Sequence, residues 1–195
     1  GYRFVDFSVD YDKDNWSKLV DDAVIAAKKY NMTIIQTHTP YNFYKKLPLD
    51  IFKQQLENSV DAAKRMGVND LVFHFDEYHP VDFEHYDAAE GIRVAEEVLG
   101  PYIRKTASLG INAALETIFE VPARLARGVR SHFGGVYEEI VDSIKLFNDE
   151  HVTCCWDFGH ADIAYKENHI KYLQEVGKKI SCTHVHDNYY ETDMH

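Results

Sequence analysis

A barrel of alternating parallel strands and helices is the fold class this sequence predicts, and three observations predict it. Short β-rich runs alternate strictly with longer helical patterns along the whole chain. From the second run onward, each delivers a histidine or a carboxylate at its C-terminal end, where a parallel barrel gathers its strand ends on one face. The first run is not followed by a glycine-rich turn. Asp10-Tyr11-Asp12-Lys13-Asp14 stands where an open nucleotide-binding sheet would carry one.

Tyr2–Val9 reads as the first strand. Asn15–Tyr30 reads as a helix with Trp16, Leu19, Val20, Ala23, Val24 and Ala27 on one face and Asp14 as its cap. Met32–Thr37 is the second strand. Asp50–Met66 is a helix with Phe52, Leu56, Val60 and Ala63 turned inward and Gly67 as its stop. Asp70–Phe75 is the third strand. Ala88–Leu109 is helical with a kink at Gly100-Pro101, because proline removes a donor and clashes with the preceding turn. Ile111–Thr117 is the fourth strand, and an arginine-bearing stretch leads to a helix at Val136–Asn148. Val152–Phe158, a helix at Glu167–Val176 and a last strand at Ile180–Val185 complete the series. Six strands joined by five helices imply a parallel sheet with right-handed crossovers.

The 195 residues, 45% of them hydrophobic, suffice for one sizeable core. A net charge of −11 offers a nucleic-acid partner no overall electrostatic help. Cys154, Cys155 and Cys182 form no C-x-x-C motif and no even disulfide set, so they read as core filler in a reducing cytoplasm. No apolar run approaches the roughly 20 residues of a membrane span.

The chemistry resides at the strand ends. His38 follows the second strand, His74 and Asp76 close the third, and Glu116 closes the fourth. Asp157 and His160 leave the fifth, and His184, His186 and Asp187 end the last, with Asp193 and His195 close behind. One histidine beside a strand is ordinarily structural, but 11 histidines scattered at random would not track strand ends. Carboxylates and imidazoles gathered at one rim cost desolvation and repulsion unless a cation compensates. A ligand set of oxygen and imidazole without thiolate suits Mn²⁺, Zn²⁺, Co²⁺ or Mg²⁺ at a catalytic position. Arg124, Arg127 and Arg130, three residues apart, are expected on one helical face as a phosphate clamp.

The series HTPY (His38–Tyr41), VFHFD (Val72–Asp76), ALET (Ala114–Thr117), WDFGHAD (Trp156–Asp162), HVHDN (His184–Asn188) and DMH (Asp193–His195) resembles the xylose isomerase-like TIM-barrel superfamily. That group holds sugar isomerases, sugar and sugar-phosphate epimerases, inosose dehydratases and DNA-repair enzymes of the endonuclease IV type. The resemblance implies a (β/α)8 barrel with Glu116, Asp157 and His184 as the shared metal ligands. His160 would touch substrate or a further metal. In the endonuclease IV branch His38, His74, Asp193 and His195 match ligands of additional zinc ions. The family's first strand and its last, with a ligand Glu, have no counterpart here. Residues 1–195 are therefore expected to form one barrel domain incomplete at both ends, with two open strand edges suited to a homo-oligomer.

The activity the resemblance implies is isomerisation or epimerisation of a sugar or sugar phosphate through a metal-stabilised enediolate. Glu116 would be ligand and base, and His160 or His186 would hold substrate oxygens. Tyr41, Tyr44, Trp156 and Phe158 would wall the pocket. The alternative is metal-dependent phosphodiester hydrolysis of the AP-endonuclease kind, which the acidic charge and the lack of Lys/Arg clusters disfavour. A decayed barrel serving only to bind is a third reading, and the intact ligand series argues against it.

Overall fold

The computed structural model describes residues 2–42, 46–75, 78–80, 85–186 and 188. Six parallel strands lie in sequence order: β1 (Phe4–Asp6), β2 (Thr33–His38), β3 (Asp70–Phe73), β4 (Asn112–Glu116), β5 (Val152–Asp157) and β6 (Ile180–His184). With their helices they make a curled, incomplete (β/α) barrel. Among the described residues β1 and β6 are its two edges.

The helices follow from local rules. Helix α1 (Trp16–Tyr30) is entered through a turn in which Lys13 N–H donates to Asp10 O at 3.2 Å. Its cap position is Asn15, without a side-chain bond, so Asp14 is not the cap expected of it. Helix α2 (Leu49–Met66) buries Phe52, Leu56, Val60 and Ala63, the stripe read from the sequence. Gly67 at φ 66° stops it, its N–H donating to Ala63 O and Lys64 O. The expected kinked helix is two helices, α3 (Ala88–Val98) and α4 (Gly100–Ser108), parted at Leu99, with proline in the first turn of the second.

Further along, α5 (Pro122–Leu125) is a single turn, and α6 (Tyr137–Phe147) precedes β5. Sequence reasoning missed α7 (Phe158–Tyr165), which begins directly on the end of β5 with Asp157 as its cap. It buries Gly159, His160, Ala161 and Ile163 and so shows no polar stripe to betray it. Helix α8 (His169–Val176) follows a short 3₁₀ turn, Lys166–Asn168, within the region read as Glu167–Val176.

The two faces of the sheet carry different cores. Phe73, Leu115, Cys154 and Trp156 face the helix layer and pack in one cluster with Phe52 and Leu56. Burying a Phe or Leu there contributes roughly 1.5–3 kcal/mol. Val72, Ala114 and Cys155, with Cys182, form a small cluster on the concave face. The expectation of the cysteines as core filler fits Cys154 and Cys155, which are buried, whereas Cys182 on the edge strand is only half-buried.

Two register shifts set the outer strands. Val5 pairs with Ile34 but Asp6 pairs with Gln36, which makes Ile35 an extra residue on β2. Cys154 pairs with Ile180 but Cys155 with Cys182, which makes Ser181 extra on β6. A bulge re-aims the side chains beyond it. Asp6, Gln36 and His38, and on the far side Cys182 and His184, therefore all turn to the concave face.

Candidate metal centre

Glu116, Asp157 and His184 close three adjacent strands, and their ligand atoms lie within 4.8 Å of one another. Strand alternation explains the convergence: Ala114, Cys155 and Cys182 form the concave floor, and the residue two further along each strand points the same way. His184 Nδ1 is 3.1 Å from Glu116 Oε1 and 3.4 Å from Asp157 Oδ2. Asp157 is fixed from below, its N–H donating to Thr117 Oγ1 at 2.9 Å, while its Oδ1 accepts from His160 N–H at 2.7 Å. The carboxylate thus caps α7 and faces the other ligands at once.

The other histidines surround this core. His74 Nε2 is 3.0 Å from Glu116 Oε2, and His186 Nε2 is 3.2 Å from Asp157 Oδ1. His160 Nδ1 donates to Thr117 O at 2.9 Å and lies 3.5 Å from Glu116 Oε1. His38, His74 and Glu116 form a second ligand group of the same compactness, and Asp157, His160 and His186 a third. His38 stacks on His184 with ring centroids 4.8 Å apart.

The electrostatics follow from burial. Glu116 is 2% exposed and Asp157 0%. Burial alone would raise the Glu116 carboxyl, but His74 and His184 outweigh it and hold it well below its usual range. Burial opposes ionisation of Asp157 too, and the His184 bond and the His160 charge bring it down. Burial lowers His184, but its bonds to Asp157 and Glu116 push it up to about 10. Two buried carboxylates are stabilised here by positive charge at one point between them. The donor set therefore fits a divalent cation, with two carboxylates and a facing imidazole in a concave setting.

A cavity of about 820 Å³ opens over the cluster, lined among others by His38, Tyr41, His74, Glu116, His160, His184 and His186. Tyr41 stacks on His74 at 5.0 Å. Ile118 and Phe119, which follow β4, supply apolar wall.

Several expectations need correction. Trp156 does not wall the pocket: it is 0% exposed in the helix-side core, because Asp157 next to it points the other way. Phe158 packs against that same core. The three arginines do not share a helical face, since α5 ends at Leu125. Arg124 faces Glu120 at 3.5 Å, Arg130 donates to Glu139 at 2.9 Å, and Arg127 Nε donates to Ala123 O at 3.2 Å. None of them lines the cavity. Tyr44, Asp76, Asp187, Asp193 and His195 lie outside the described residues.

Sequence reasoning missed Asp6 and Gln36. Asp6 Oδ2 accepts from Gln36 Nε2 at 2.8 Å and meets His38 Nε2 at 3.2 Å, and the Gln36 amide meets His184 Nε2 at 2.8 Å. The signal was present: Asp6 ends β1 as the ligands end theirs. Reading the strand on to Val9 hid it. Gly159 was missed too. A Cβ there would collide with the His186 ring.

The profile of the xylose isomerase-like TIM barrel family matches residues 1–195. The chain belongs to this family. No curated protein matches it by sequence. Among solved structures, a D-tagatose 3-epimerase-like protein is 18% identical at a TM-score of 0.76, with 98% of this chain and 70% of that one covered. The AP endonuclease, family 2, from Brucella melitensis is 17% identical at 0.67, covering 94% and 68%. The IOLI protein, solved with a binding zinc atom, is 14% identical at 0.65, covering 92% and 61%. These likenesses are of fold: they place the chain among TIM barrels whose neighbours include epimerases and AP endonucleases. No helix among the described residues is long and apolar enough to cross a membrane.

Proposed function

We propose that the chain is a divalent-metal-dependent epimerase or isomerase of a sugar or sugar phosphate. The observation that carries this reading is the Glu116–Asp157–His184 cluster, compact within 4.8 Å, at the floor of a cavity of about 820 Å³. A cation held by these three residues would supply Lewis-acid stabilisation of negative charge on substrate oxygens. Mn²⁺, Zn²⁺, Co²⁺ and Mg²⁺ all suit the oxygen and imidazole donors.

The remaining work falls to the chain. Glu116, kept deprotonated by its histidines and lining the cavity, is the residue suited to act as base. His160 and His186 stand on either side of Asp157 and line the cavity, suited to hydrogen-bond sugar hydroxyls. Tyr41, stacked on His74 in the cavity lining, offers an aromatic surface to a sugar ring.

Replacing Glu116 with Gln tests this. Equilibrium dialysis with Mn²⁺ or Zn²⁺ is expected to show binding to the wild type and at least about 100-fold weaker binding to the variant. Incubation with a sugar panel in D₂O is expected to place deuterium on a sugar carbon with the wild type alone. Metal binding without any deuterium incorporation would sink the epimerase reading.

One observation favours a second reading. The His38–His74–Glu116 group offers room for a further ion, as metal-dependent phosphodiester hydrolysis would use. Cleavage of an abasic-site duplex, with no sugar turnover, would select it.

A further inference from the structure

A second cavity of about 500 Å³ adjoins the first, and the proposed function does not use it. The two share His38, Tyr41 and His74, so these residues form a wall with space on both sides. Each volume alone lies in the range of a small-molecule site, roughly 300–1,000 Å³. A single monosaccharide reacting above Glu116 leaves the second cavity unaccounted for.

The lining of this cavity says what it would take. Thr39 is 4% exposed, and its Oγ1 is buried without a hydrogen-bond partner. Such a hydroxyl can be satisfied by a polar group entering the cavity, water or ligand. Gln55, 7% exposed on α2, adds an amide, which both donates and accepts. Tyr11 contributes a buried phenol, neutral at physiological pH, whose hydroxyl also meets Thr37. Its position is held by Trp16, whose ring centroid is 5.9 Å away. Among the described residues no Lys or Arg lines either cavity. Asp10 and Asp12 line the second instead, with Lys13 on Asp12 at 3.4 Å. Hydroxyl, amide, phenol and carboxylate together suit sugar hydroxyls, whereas a phosphate dianion would meet Asp10 and Asp12 and, among the described residues, no lining cation.

We propose that this second cavity is a subsite for an uncharged sugar ring joined to the one that reacts at the metal centre, making neutral glycosides or disaccharides the substrate class. This rests on the epimerase reading and narrows it away from sugar phosphates. Asn42 Nδ2 donates to Leu47 O at 3.1 Å, and Asn42 Oδ1 accepts from Leu47 N–H at 2.8 Å. That clamp holds the segment bearing Thr39 and Tyr41 against the start of α2, so the two subsites keep a fixed separation.

The test is calorimetric titration of the Mn²⁺-loaded protein with methyl β-D-glucoside, cellobiose, maltose, lactose and glucose 6-phosphate. At least one disaccharide is expected to bind about tenfold or more tightly than the methyl glucoside. Glucose 6-phosphate is expected to bind no tighter than the glucoside. In Thr39→Val and Gln55→Leu the ratio of disaccharide to glucoside affinity should collapse towards unity. Tyr11→Phe, which removes only a hydroxyl, provides the same reading if either variant fails to fold. The subsite is overturned if no disaccharide exceeds the glucoside, if glucose 6-phosphate is the tightest ligand, or if the ratio survives in every folded variant. Deuterium exchange into monosaccharides keeps the two proposals apart. Exchange without disaccharide preference defeats the subsite alone. Preference without exchange defeats the epimerase reading and leaves the subsite standing.

Discussion

Two regions of this molecule bury carboxylates, and they solve the problem in different ways. In the loop leading to α6, Glu120 accepts from Val121 N–H at 2.9 Å and from Ser131 Oγ at 2.7 Å. Glu139 accepts from Tyr86 Oη at 2.5 Å, Gly134 N–H at 2.7 Å and Arg130 at 2.9 Å. Their hydrogen-bond partners are backbone amides, hydroxyls and a guanidinium, none of which changes charge near neutral pH, while an imidazole, His132, stands off at 3.9 Å from Glu120. At the rim, Glu116 and Asp157 are as deeply buried but answered by imidazoles, which do change charge. Burial wins at Glu139 and raises its carboxyl, whereas the histidines win at Glu116 and lower it. The loop is complete in itself. The rim rests instead on groups whose charge can change, the setting that the proposed cation would complete.

The sharpest way to break this contrast is to truncate Glu139, the acid at the start of α6. Glu139→Ala leaves the mostly buried Arg130 without its charge partner, a loss of about 3–5 kcal/mol. For a chain of this length that lowers Tm on the order of 10 °C. Thermal unfolding should show the loss with and without metal. A drop appearing only in metal-loaded protein would tie the loop to the rim and end the distinction.

A smaller effect concerns pH. His184 is raised from 6.5 to about 10 in the fold. Its contribution is therefore fully present below pH 6.5 and lost as pH rises through about 10. Glu116 and Asp157 are depressed, so their contribution is present above their ordinary values of 4.5 and 3.8 and lost in stronger acid. Tm measured with chelator should thus fall between pH 6.5 and 10. Metal must displace the His184 proton, so binding at pH 7–8 should release about one proton, read by calorimetry in buffers of different ionisation enthalpy. Metal binding without proton release would show that His184 is not the charge that balances the two acids.

The smallest effect is steric. Gly159→Ala sets a methyl group against the His186 ring and should cost about 1–3 kcal/mol through displacement. Its use lies in separating roles. If His186 holds substrate oxygens and not metal, the variant should raise KM while metal affinity stays within about twofold. An equal fall in metal affinity would move His186 into the ligand set.

The strands, their order and the placement of Glu116, Asp157 and His184 at strand ends were legible in the sequence because short β-rich runs alternate with longer helical patterns. The α2 stripe and the stop at Gly67 were legible for the same local reason. Other features were decided only in three dimensions. The inward turn of Asp6 and Gln36 depends on an extra residue at Ile35, a property of how β1 pairs with β2 and not of either strand alone. Arg124 and Arg130 were drawn to Glu120 and Glu139, partners 4 and 9 residues away, once the helix they were expected to share proved to be one turn long. Trp156 and Asp157 are neighbours in sequence on opposite faces of one sheet, and which face became site and which became core was set by where the helices packed. Local periodicity determines what a residue's neighbours on its own element are. Register between strands and the compensation of buried charge determine what it meets across the barrel, and both are sums over distant parts of the chain.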